Sequence, residues 1–251
     1  MAQNPLDHER YRRASTYDPA WVMANQMGPN ALWLMEALCE IVEPTEGMRV
    51  LDLGCGTAMT SIFLAREYGA EVWATDLWIP ASENRERIEA AGVADRVYPI
   101  HAEAHSLPFA DGFFDLIVSV DAYHYFGTDD LYVATMARHL RSGGRLGIVV
   151  PALLEELREI PEHLAEYWEW EFWSFHGPDW WRWHWAKSTK VVVEHADTLA
   201  DGWRDWLRWA EVAGPASPQE WMADESRREA AMLRADQGRL IGFARVVARK
   251  P

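Results

Sequence analysis

Short apolar runs and helically spaced segments alternate through the first 150 residues of the chain. The apolar runs predict five buried strands, at residues 49–53, 71–76, 97–101, 114–121 and 145–150. Segments in which apolar side chains recur every three or four positions predict helices, at residues 57–68, 82–91 and 128–140. This alternation is typical of βαβ units, so we expect an α/β fold with a parallel sheet and helices on both faces.

The rest of the chain has longer helical stretches between only two strands. Helices are expected at residues 153–173, 178–185, 201–212 and 217–235, and strands at residues 190–196 and 240–248. Eleven of the 15 tryptophans lie between Trp168 and Trp221, which indicates a specialised layer added to an ordinary domain. We therefore divide the chain into an N-terminal helical cap (1–47), a core (48–150), two Trp-rich helical lid insertions (151–187 and 197–238) and C-terminal strands (188–196 and 239–251).

Composition and charge narrow the classes of function. The 251 residues are 49 % apolar and 25 % charged, a balance typical of a folded domain with a sizeable core. A net charge of −15 without a Lys/Arg cluster makes a nucleic-acid partner unexpected. Two cysteines, Cys39 and Cys55, are too few for a disulfide framework or a zinc cluster, and we expect no metal. Without a long apolar span or a secretory signal, we expect a cytoplasmic protein with no membrane partner.

The clearest chemical signal is a glycine turn between the first predicted strand and the helix that follows. Gly54 and Gly56 flank Cys55, and glycine lets the backbone turn sharply and approach a ligand closely. Nucleotide-like cofactors bind at such turns, where the N–H groups of a helix N-terminus are free. Met59 stands where a dinucleotide fingerprint requires a third glycine, and Asp52 precedes the turn. A carboxylate there opposes a pyrophosphate and favours a ligand that carries an ammonium group, as S-adenosylmethionine does.

Further acidic residues follow the next three predicted strands. Asp76, followed by Leu77, ends the second strand, where a carboxylate can accept both hydroxyls of a ribose. That signal is shared by NAD and S-adenosylmethionine proteins. Glu103, next to Ala104, follows the third strand and can accept from an adenine amino group. Asp121 ends the fourth strand, either as a strand-end cap or as a neighbour of the ligand.

Together these segments resemble the successive motifs of class I S-adenosylmethionine-dependent methyltransferases. The matching segments are VLDLGCGTA, ATDLW, AEAHSLPFADGFFDLIVSVDAYHYF and LRSGGRLGIVV, within residues 48–150, with weaker support at 178–196 and 239–249. The nearest subgroup resembles the small-molecule enzymes related to quinone-biosynthesis and glycine/sarcosine methyltransferases. The resemblance implies a Rossmann-like seven-stranded sheet that ends in an antiparallel strand pair. It also implies S-adenosylmethionine as cofactor and S-adenosylhomocysteine as product.

The resemblance assigns roles to the acidic and glycine positions. In that family the glycine turn holds the methionine part, the acid after the second strand holds the ribose, and the acid after the third strand lies by the adenine. The residues that match are Asp52, Gly54, Cys55 and Gly56, then Asp76 with Leu77, Glu103 with Ala104, and Asp121. Many relatives have aspartate where this chain has Glu103, which keeps the charge and adds a methylene group.

Candidates for contact with the second substrate follow the fourth strand. His124 is the candidate general base, because imidazole titrates near neutral pH; the alternative is that it packs under the lid insertions. Tyr123 and Tyr125 flank His124 and are candidate substrate contacts. Tyr17, in the N-terminal segment, is a candidate for closing over the cofactor or for simple helix packing.

We therefore expect methyl transfer from S-adenosylmethionine to a small molecule by in-line displacement. The aromatic and acidic lid insertions favour a cationic or aromatic acceptor, such as an amine or an aromatic hydroxyl. Three alternatives remain open: a non-catalytic protein that binds S-adenosylmethionine, an NAD(P) oxidoreductase, and a lipid-modifying enzyme of the cyclopropane-synthase type. The sequence does not indicate the oligomeric state.

Overall fold

A seven-stranded sheet forms the centre of the computed structural model, which describes residues 4–216 and 220–251. The strands are β1 (Arg49–Leu53), β2 (Glu71–Asp76), β3 (Val97–His101), β4 (Phe114–Val120), β5 (Leu140–Leu153), β6 (Val192–Thr198) and β7 (Ile241–Arg249). Their order in the sheet is β3-β2-β1-β4-β5-β7-β6. Strands β1 to β5 are parallel, and β7 lies antiparallel between β5 and β6. The expected sheet with a final antiparallel pair is confirmed.

Helices cover both faces of this sheet. They are α1 (Pro19–Asn25), α2 (Ala31–Val42), α3 (Met59–Tyr68), α4 (Ala81–Ala90), α5 (Tyr132–His139), α6 (Pro178–Ala186), α7 (Gly202–Ala216) and α8 (Glu220–Asp236). One apolar core lies under α2, α3, α4 and α7, and a second lies under α5 and α6. Successive β1 residues, Val50 and Leu51, join opposite cores, as the two-residue period of a strand requires. Within the described residues, no helix is long and apolar enough to cross a membrane.

Capping residues determine where α2 begins and where α3 ends. The side chain of Asn30 accepts hydrogen bonds from the N–H groups of Leu32 and Trp33, which fixes the start of α2. Gly69 ends α3 in the left-handed conformation, at φ +68°, and its N–H donates to the carbonyl of Ala65. These caps fix where α2 begins and where α3 ends.

The expected helix over residues 153–173 is wrong. The chain there is irregular, with short 3-10 turns at Glu162–Leu164 and Trp170–Ser174. Pro161 lacks a backbone N–H and disfavours helical backbone at Ile160, which interrupts helical hydrogen bonding. Carboxylates also recur at helical neighbour spacing in this segment, as at Glu155 and Glu159, and repel each other. The first lid insertion is therefore mostly loop before α6. In the second, α8 begins at Glu220, and residues 217–219 of the helix expected at 217–235 lie outside the described residues.

Strand β5 is longer than the expected 145–150, and it continues through Pro151 to Leu153 in pairing with β7. The carbonyl of Val149 accepts from Asp121 at the end of β4. In a strand, the backbone groups of residues two apart point to the same side, so the backbone nitrogen of Pro151 points, like the carbonyl of Val149, toward β4. Because β4 has already ended at this level, the N–H that proline lacks costs no hydrogen bond between strands. At the other end, β5 begins at Leu140, the last residue of the helix expected at 128–140, and its pairing with β4 shifts register between Phe114 and Leu116.

Candidate functional site

The glycine turn after β1 is fastened to the end of β2. The N–H groups of Gly54 and Cys55 donate to the carbonyl of Thr75 at 2.8 and 3.1 Å. Gly54 has φ +74°, and a methyl group added there would lie 2.5 Å from the Cβ of Ala122. Gly56 has φ +52°, and a methyl group there would lie 2.9 Å from the sulfur of a methionine. Glycine therefore allows the positive φ at both positions and the close approach of Ala122 to Gly54.

Asp76 joins the turn to the following loop. One carboxylate oxygen accepts from the N–H of Gly56 at 2.8 Å, and the other accepts from Trp78 and Ile79 at 2.8 and 2.9 Å. The side chain is buried. Each carboxylate oxygen has two acceptor sites, so Asp76 keeps capacity for a hydroxyl donor from a ligand. Its orientation is fixed by three backbone donors before any ligand binds.

These elements enclose a first cavity of about 350 Å³ at the carboxyl ends of β1, β2 and β4. The predicted cofactor residues that line it are Gly54, Cys55, Gly56, Asp76, Leu77, Glu103, Ala104 and Asp121. The opposite wall consists of Met27, Gly28 and Pro29, just before α2, and no sequence motif predicts it. These residues line the cavity only because α2 begins beside it. The shared edge of parallel strands therefore predicts the residues of one wall and not those of the other.

Asp52 does not line the cavity, unlike the other predicted cofactor residues. Its carboxylate is buried and accepts from the hydroxyls of Thr60 and Ser61, each at 2.6 Å, through one oxygen. The other oxygen has no partner among the described residues. Burial raises the pKa of Asp52 to about 6, although the two hydroxyls oppose that shift. Its side chain points back into α3, so the expected direct contact with a ligand ammonium group is not supported by this position.

Glu103 lines the first cavity but is largely exposed, and its carboxylate is held by His105. The backbone N–H of His105 donates to it at 2.9 Å and the ring Nδ1 lies 2.7 Å away. The adenine contact expected of Glu103 stays a prediction. At the mouth of the same cavity, Trp78 and Tyr125 pack edge to face with their ring centres 5.6 Å apart.

A second cavity of about 220 Å³ adjoins the first and extends beneath the lid insertions. The two share walls at Met27, Gly28, Pro29, Asp121 and Tyr125. Most of the remaining walls come from the irregular segment before α6, from α7 and from α8. Aromatic side chains, including those of Tyr167, Phe172, Phe175, Trp206 and Trp221, provide much of that surface.

The second cavity carries an excess of acidic groups. Its described walls include the carboxyl groups of Asp121, Glu169, Glu171, Glu225 and Glu229, and one guanidinium, that of Arg228. Arg228 forms an ion pair with Glu169. Burial raises the pKa of Asp121 and of Glu229 to about 8 each, and the nearby charge of Asp121 adds to the shift of Glu229. A positive group that entered this cavity would meet unpaired carboxyl groups, and an anion would be repelled.

Asp121 lies where the two cavities meet. It has left-handed backbone, at φ +54°, which aspartate tolerates better than most residues. Its N–H donates to the carbonyl of Val149 at 2.9 Å. A methyl group on Gly28 would lie 3.0 Å from its Oδ2, so the carboxylate is held close to the backbone of the opposite wall. Its side chain therefore faces both compartments.

The four residues expected near the second substrate fall in different places. His124 and Tyr125 line the second cavity. Tyr123 is instead fully buried in the core, with its ring centre 5.7 and 5.6 Å from those of Trp181 and Trp185. It turns away from both cavities because the 3-10 turn at Tyr123–Tyr125 directs successive side chains apart. Tyr17 lines neither cavity, and its hydroxyl donates to Glu67 at 3.2 Å.

His124 is buried against Phe175, with the ring centres 5.1 Å apart, and its Nδ1 has no partner among the described residues. Burial lowers the pKa of His124 to about 3. The ring is therefore neutral at neutral pH and a weak base, which disfavours it as the main proton acceptor. An imidazole nitrogen remains free to accept a hydrogen bond from a ligand.

A His124→Gln variant should have a free energy of unfolding that depends less on pH than that of the native chain. The unfolded state takes up a proton on His124 below pH 6.5, whereas the folded state does not until about pH 3. The native chain therefore loses stability as pH falls from 6.5, by about 2 kcal/mol at pH 5 from this group. Urea unfolding at both pH values should show a loss smaller by that amount in the variant. An exposed control, His101→Gln, accounts for the loss of an imidazole, and equal losses in the native and His124→Gln chains would contradict the assignment.

Comparison with known proteins identifies the region that carries the glycine turn. Residues 50–144 match the family model described as methyltransferase domain. Over these residues the chain is similar to methyltransferase domains. The matched region includes β1 to β4 and the start of β5, and thus most of the first cavity. The resemblance found in the sequence is confirmed.

Curated relatives agree with this family. The chain is 37 % identical over 134 residues to the methyltransferase GfsG of Streptomyces halstedii, across 53 % of this chain and 48 % of that protein. It is 31 % identical over 169 residues to the ubiquinone/menaquinone biosynthesis C-methyltransferase UbiE of Cereibacter sphaeroides, across 65 % of this chain and 63 % of that protein. The chain thus spans between about half and just under two thirds of the length of these relatives.

Solved structures share the fold of the matched region and of its additions. Phosphoethanolamine N-methyltransferase 2 of Haemonchus contortus, solved with S-adenosyl-L-methionine, has a TM-score of 0.76 at 19 % identity, across 98 % of this chain and 59 % of that one. The [4+2]-cyclase SpnF has a TM-score of 0.68 at 19 % identity, across 86 % and 79 %. Because this fold serves a cyclase as well as methyltransferases, the reaction has to be argued from the site.

Proposed function

We propose that this chain transfers a methyl group from S-adenosylmethionine to a small-molecule acceptor. The observation that carries the proposal is the pair of adjoining cavities, one at the glycine turn and one under the lid insertions, which meet at Asp121. One compartment suits a nucleoside cofactor and the other suits an acceptor. The similarity of residues 50–144 to methyltransferase domains supports the same reaction.

The charge around the first cavity fits S-adenosylmethionine better than a dinucleotide. Its described walls include the carboxylates of Asp76, Glu103 and Asp121 and no lysine or arginine. A pyrophosphate would be repelled there, whereas a sulfonium and an ammonium group would be attracted. Gly54 and Gly56 bring the backbone to the cavity wall without side chains of their own, and Asp76 retains one acceptor position for a ribose hydroxyl. This argues against the NAD(P) oxidoreductase alternative.

When bound, S-adenosylmethionine would supply a methyl group already activated by the positive sulfur. The chain's own task is then positioning, because in-line transfer needs the acceptor atom about 3 Å from the methyl carbon. The glycine turn and Asp76 would hold the cofactor, and the aromatic walls of the second cavity would orient the acceptor and exclude water. Asp121, at the junction, would face the site of transfer and receive a proton that the acceptor releases.

The walls of the second cavity suit the acceptor classes expected from the sequence, an amine or an aromatic hydroxyl. Aromatic rings such as those of Phe175 and Trp221 offer surface for a planar or cationic group, and the carboxyl groups add attraction for a cation. The cyclopropane-synthase alternative gains no support from the relatives described above. A non-catalytic protein of the same fold stays the second candidate, and turnover distinguishes it.

The proposed reaction is tested by two measurements on the purified chain. Calorimetry should give a Kd for S-adenosylmethionine well below that for NAD. Release of S-adenosylhomocysteine should then be followed over a panel of small amines and phenols. Binding of S-adenosylmethionine without release for any acceptor would favour the non-catalytic candidate, and no binding at all would overturn the proposal.

Asp76→Asn should weaken S-adenosylmethionine binding by about 10- to 100-fold. The amide nitrogen cannot accept from Gly56, and the charge that would strengthen hydrogen bonds to the ribose is lost, at a cost of about 1.5–3 kcal/mol. Asp95→Asn is the matched control, because its carboxylate is exposed and lies outside the cavity, and should leave binding within about twofold. Isothermal titration with both variants checks the order, and an equal loss would contradict it.

A further inference from the structure

The second cavity has a more specific chemistry than an aromatic pocket. Its described walls hold five carboxyl groups, and the single guanidinium, that of Arg228, is already paired with Glu169. A second, independent feature lies among them. His124 is 2 % exposed, lines the cavity, and has an Nδ1 without a partner among the described residues. A buried polar atom without a partner is costly, so a ligand donor at this position would relieve the cost.

We propose that the second cavity recognises the acceptor by an amino group, bound between the carboxyl groups of Asp121 and Glu229 with His124 beside them. This inference rests on the proposed methyl transfer and names its acceptor class. Asp121 projects from the end of β4 and Glu229 from α8, and both line the same cavity. An ammonium group has three N–H donors and no acceptor, which matches two carboxylates and one unpartnered ring nitrogen.

Other acceptor classes match these walls less well. A carboxylate or phosphate group would meet no unpaired cation in the described part of the cavity and would be buried beside the carboxyl groups of Asp121, Glu225 and Glu229. A hydroxyl offers one donor and would leave the remaining acceptors without partners. The rings of Phe175 and Trp221 attract a cation through their faces in addition to apolar groups. An amine on an apolar or aromatic skeleton therefore fits best.

The carboxyl groups also suit the proton balance of amine methylation. An ammonium group has no lone pair, so it would first give one proton to the carboxylate of Asp121 or Glu229, whose pKa burial raises to about 8. The lone pair of the neutral amine would then form the new N–C bond as the C–S bond breaks, and the electron pair of that bond would stay on sulfur. The methylated nitrogen would carry the positive charge and leave as an ammonium ion.

Binding experiments with matched probes test this inference apart from methyl transfer itself. The probes are benzylamine, 2-phenylethylamine and cyclohexylamine, each with the alcohol and the carboxylate of the same skeleton. Calorimetry with S-adenosylhomocysteine present should show at least one amine binding about 10-fold or more tightly than its alcohol, with no carboxylate bound. Equal or tighter binding of an alcohol or a carboxylate, or no binding by any amine, overturns the inference.

Variants separate recognition of the amino group from general packing. Glu229→Gln should remove the preference for amine over alcohol while it leaves alcohol binding within about threefold, and Glu220→Gln, exposed at the start of α8, should keep the preference. A preference that survives both Glu229→Gln and Asp121→Asn contradicts the assignment. Binding of S-adenosylmethionine alone, measured first, reports on the proposed function: if it fails, that function fails, whereas amine selectivity is judged on its own.

Discussion

Gly54→Ala should lower the free energy of unfolding by about 2–4 kcal/mol and weaken binding in the first cavity. Two costs add at this position. Alanine is strained at φ +74°, and its methyl group would lie 2.5 Å from the Cβ of Ala122, which follows β4. To relieve that overlap, the turn after β1 and the segment after β4 would have to separate. Both segments are walls of the cavity, so a stability change and a binding change should appear together.

Gly92→Ala is the matched control, because it shares one cost and lacks the other. Gly92 has φ +72°, and a methyl group there would meet no atom within 4 Å. Backbone strain alone should cost this variant about 1 kcal/mol, without change in the cavity. Urea unfolding of both variants, with calorimetric titration of S-adenosylmethionine, measures the difference. Equal losses for the two variants would show that Ala122 moves aside freely and that the close approach has no energetic importance.

The parts of the fold that sequence predicted well are those in which one segment decides its own structure. Strands β1, β2 and β3 have the bounds that their sequence patterns predict. The central strand β1 is buried from Val50 to Leu53, and a strand buried on both faces is mostly apolar. The end of β5 depends instead on its partner. Pairing with β7 carries it through Pro151, and β7 lies far along the chain. Sequence patterns within one segment contain no information on such a partner.

The sequence likewise predicts some residues of the candidate site and not others. The carboxyl ends of parallel strands share one edge, and this rule brought together Gly54, Asp76 and Asp121. It could not give side-chain direction, so Asp52 was placed in the cavity although its carboxylate turns toward Thr60 in α3. The carboxyl group of Glu229 was missed, because it reaches Asp121 only through the packing of α8 over the sheet. No local pattern distinguishes it from the other charged residues of that helix.

Asp121→Asn should make the chain more stable at pH 8 by about 2–4 kcal/mol, while it removes methylation of amines. Burial raises the pKa of Asp121 from 3.8 to about 8, so between these values the folded state keeps a proton that the unfolded state releases. The stability that this group contributes is complete below pH 3.8 and is lost as pH rises through 8. Asparagine has the same shape, tolerates left-handed backbone, and does not titrate. The gain should therefore be absent at pH 4 and grow toward pH 8.

Urea unfolding of Asp121→Asn across this pH range, with S-adenosylhomocysteine release measured in parallel, checks both effects. Other charged or titratable groups face the cavity, namely Glu169, Glu171, Glu225, Glu229, Arg228, His124, Tyr125 and Tyr167. Loss of the Asp121 charge also lowers the pKa of Glu229, which adds to the gain of the variant. Asp95→Asn, on an exposed carboxylate, controls for loss of one negative charge from the chain. A variant less stable than the native chain at pH 8 would mean that a partner already stabilises the Asp121 charge. A stable variant that has lost amine methylation would instead show that the carboxylate is retained at a cost in stability, because the acceptor's amino group needs it.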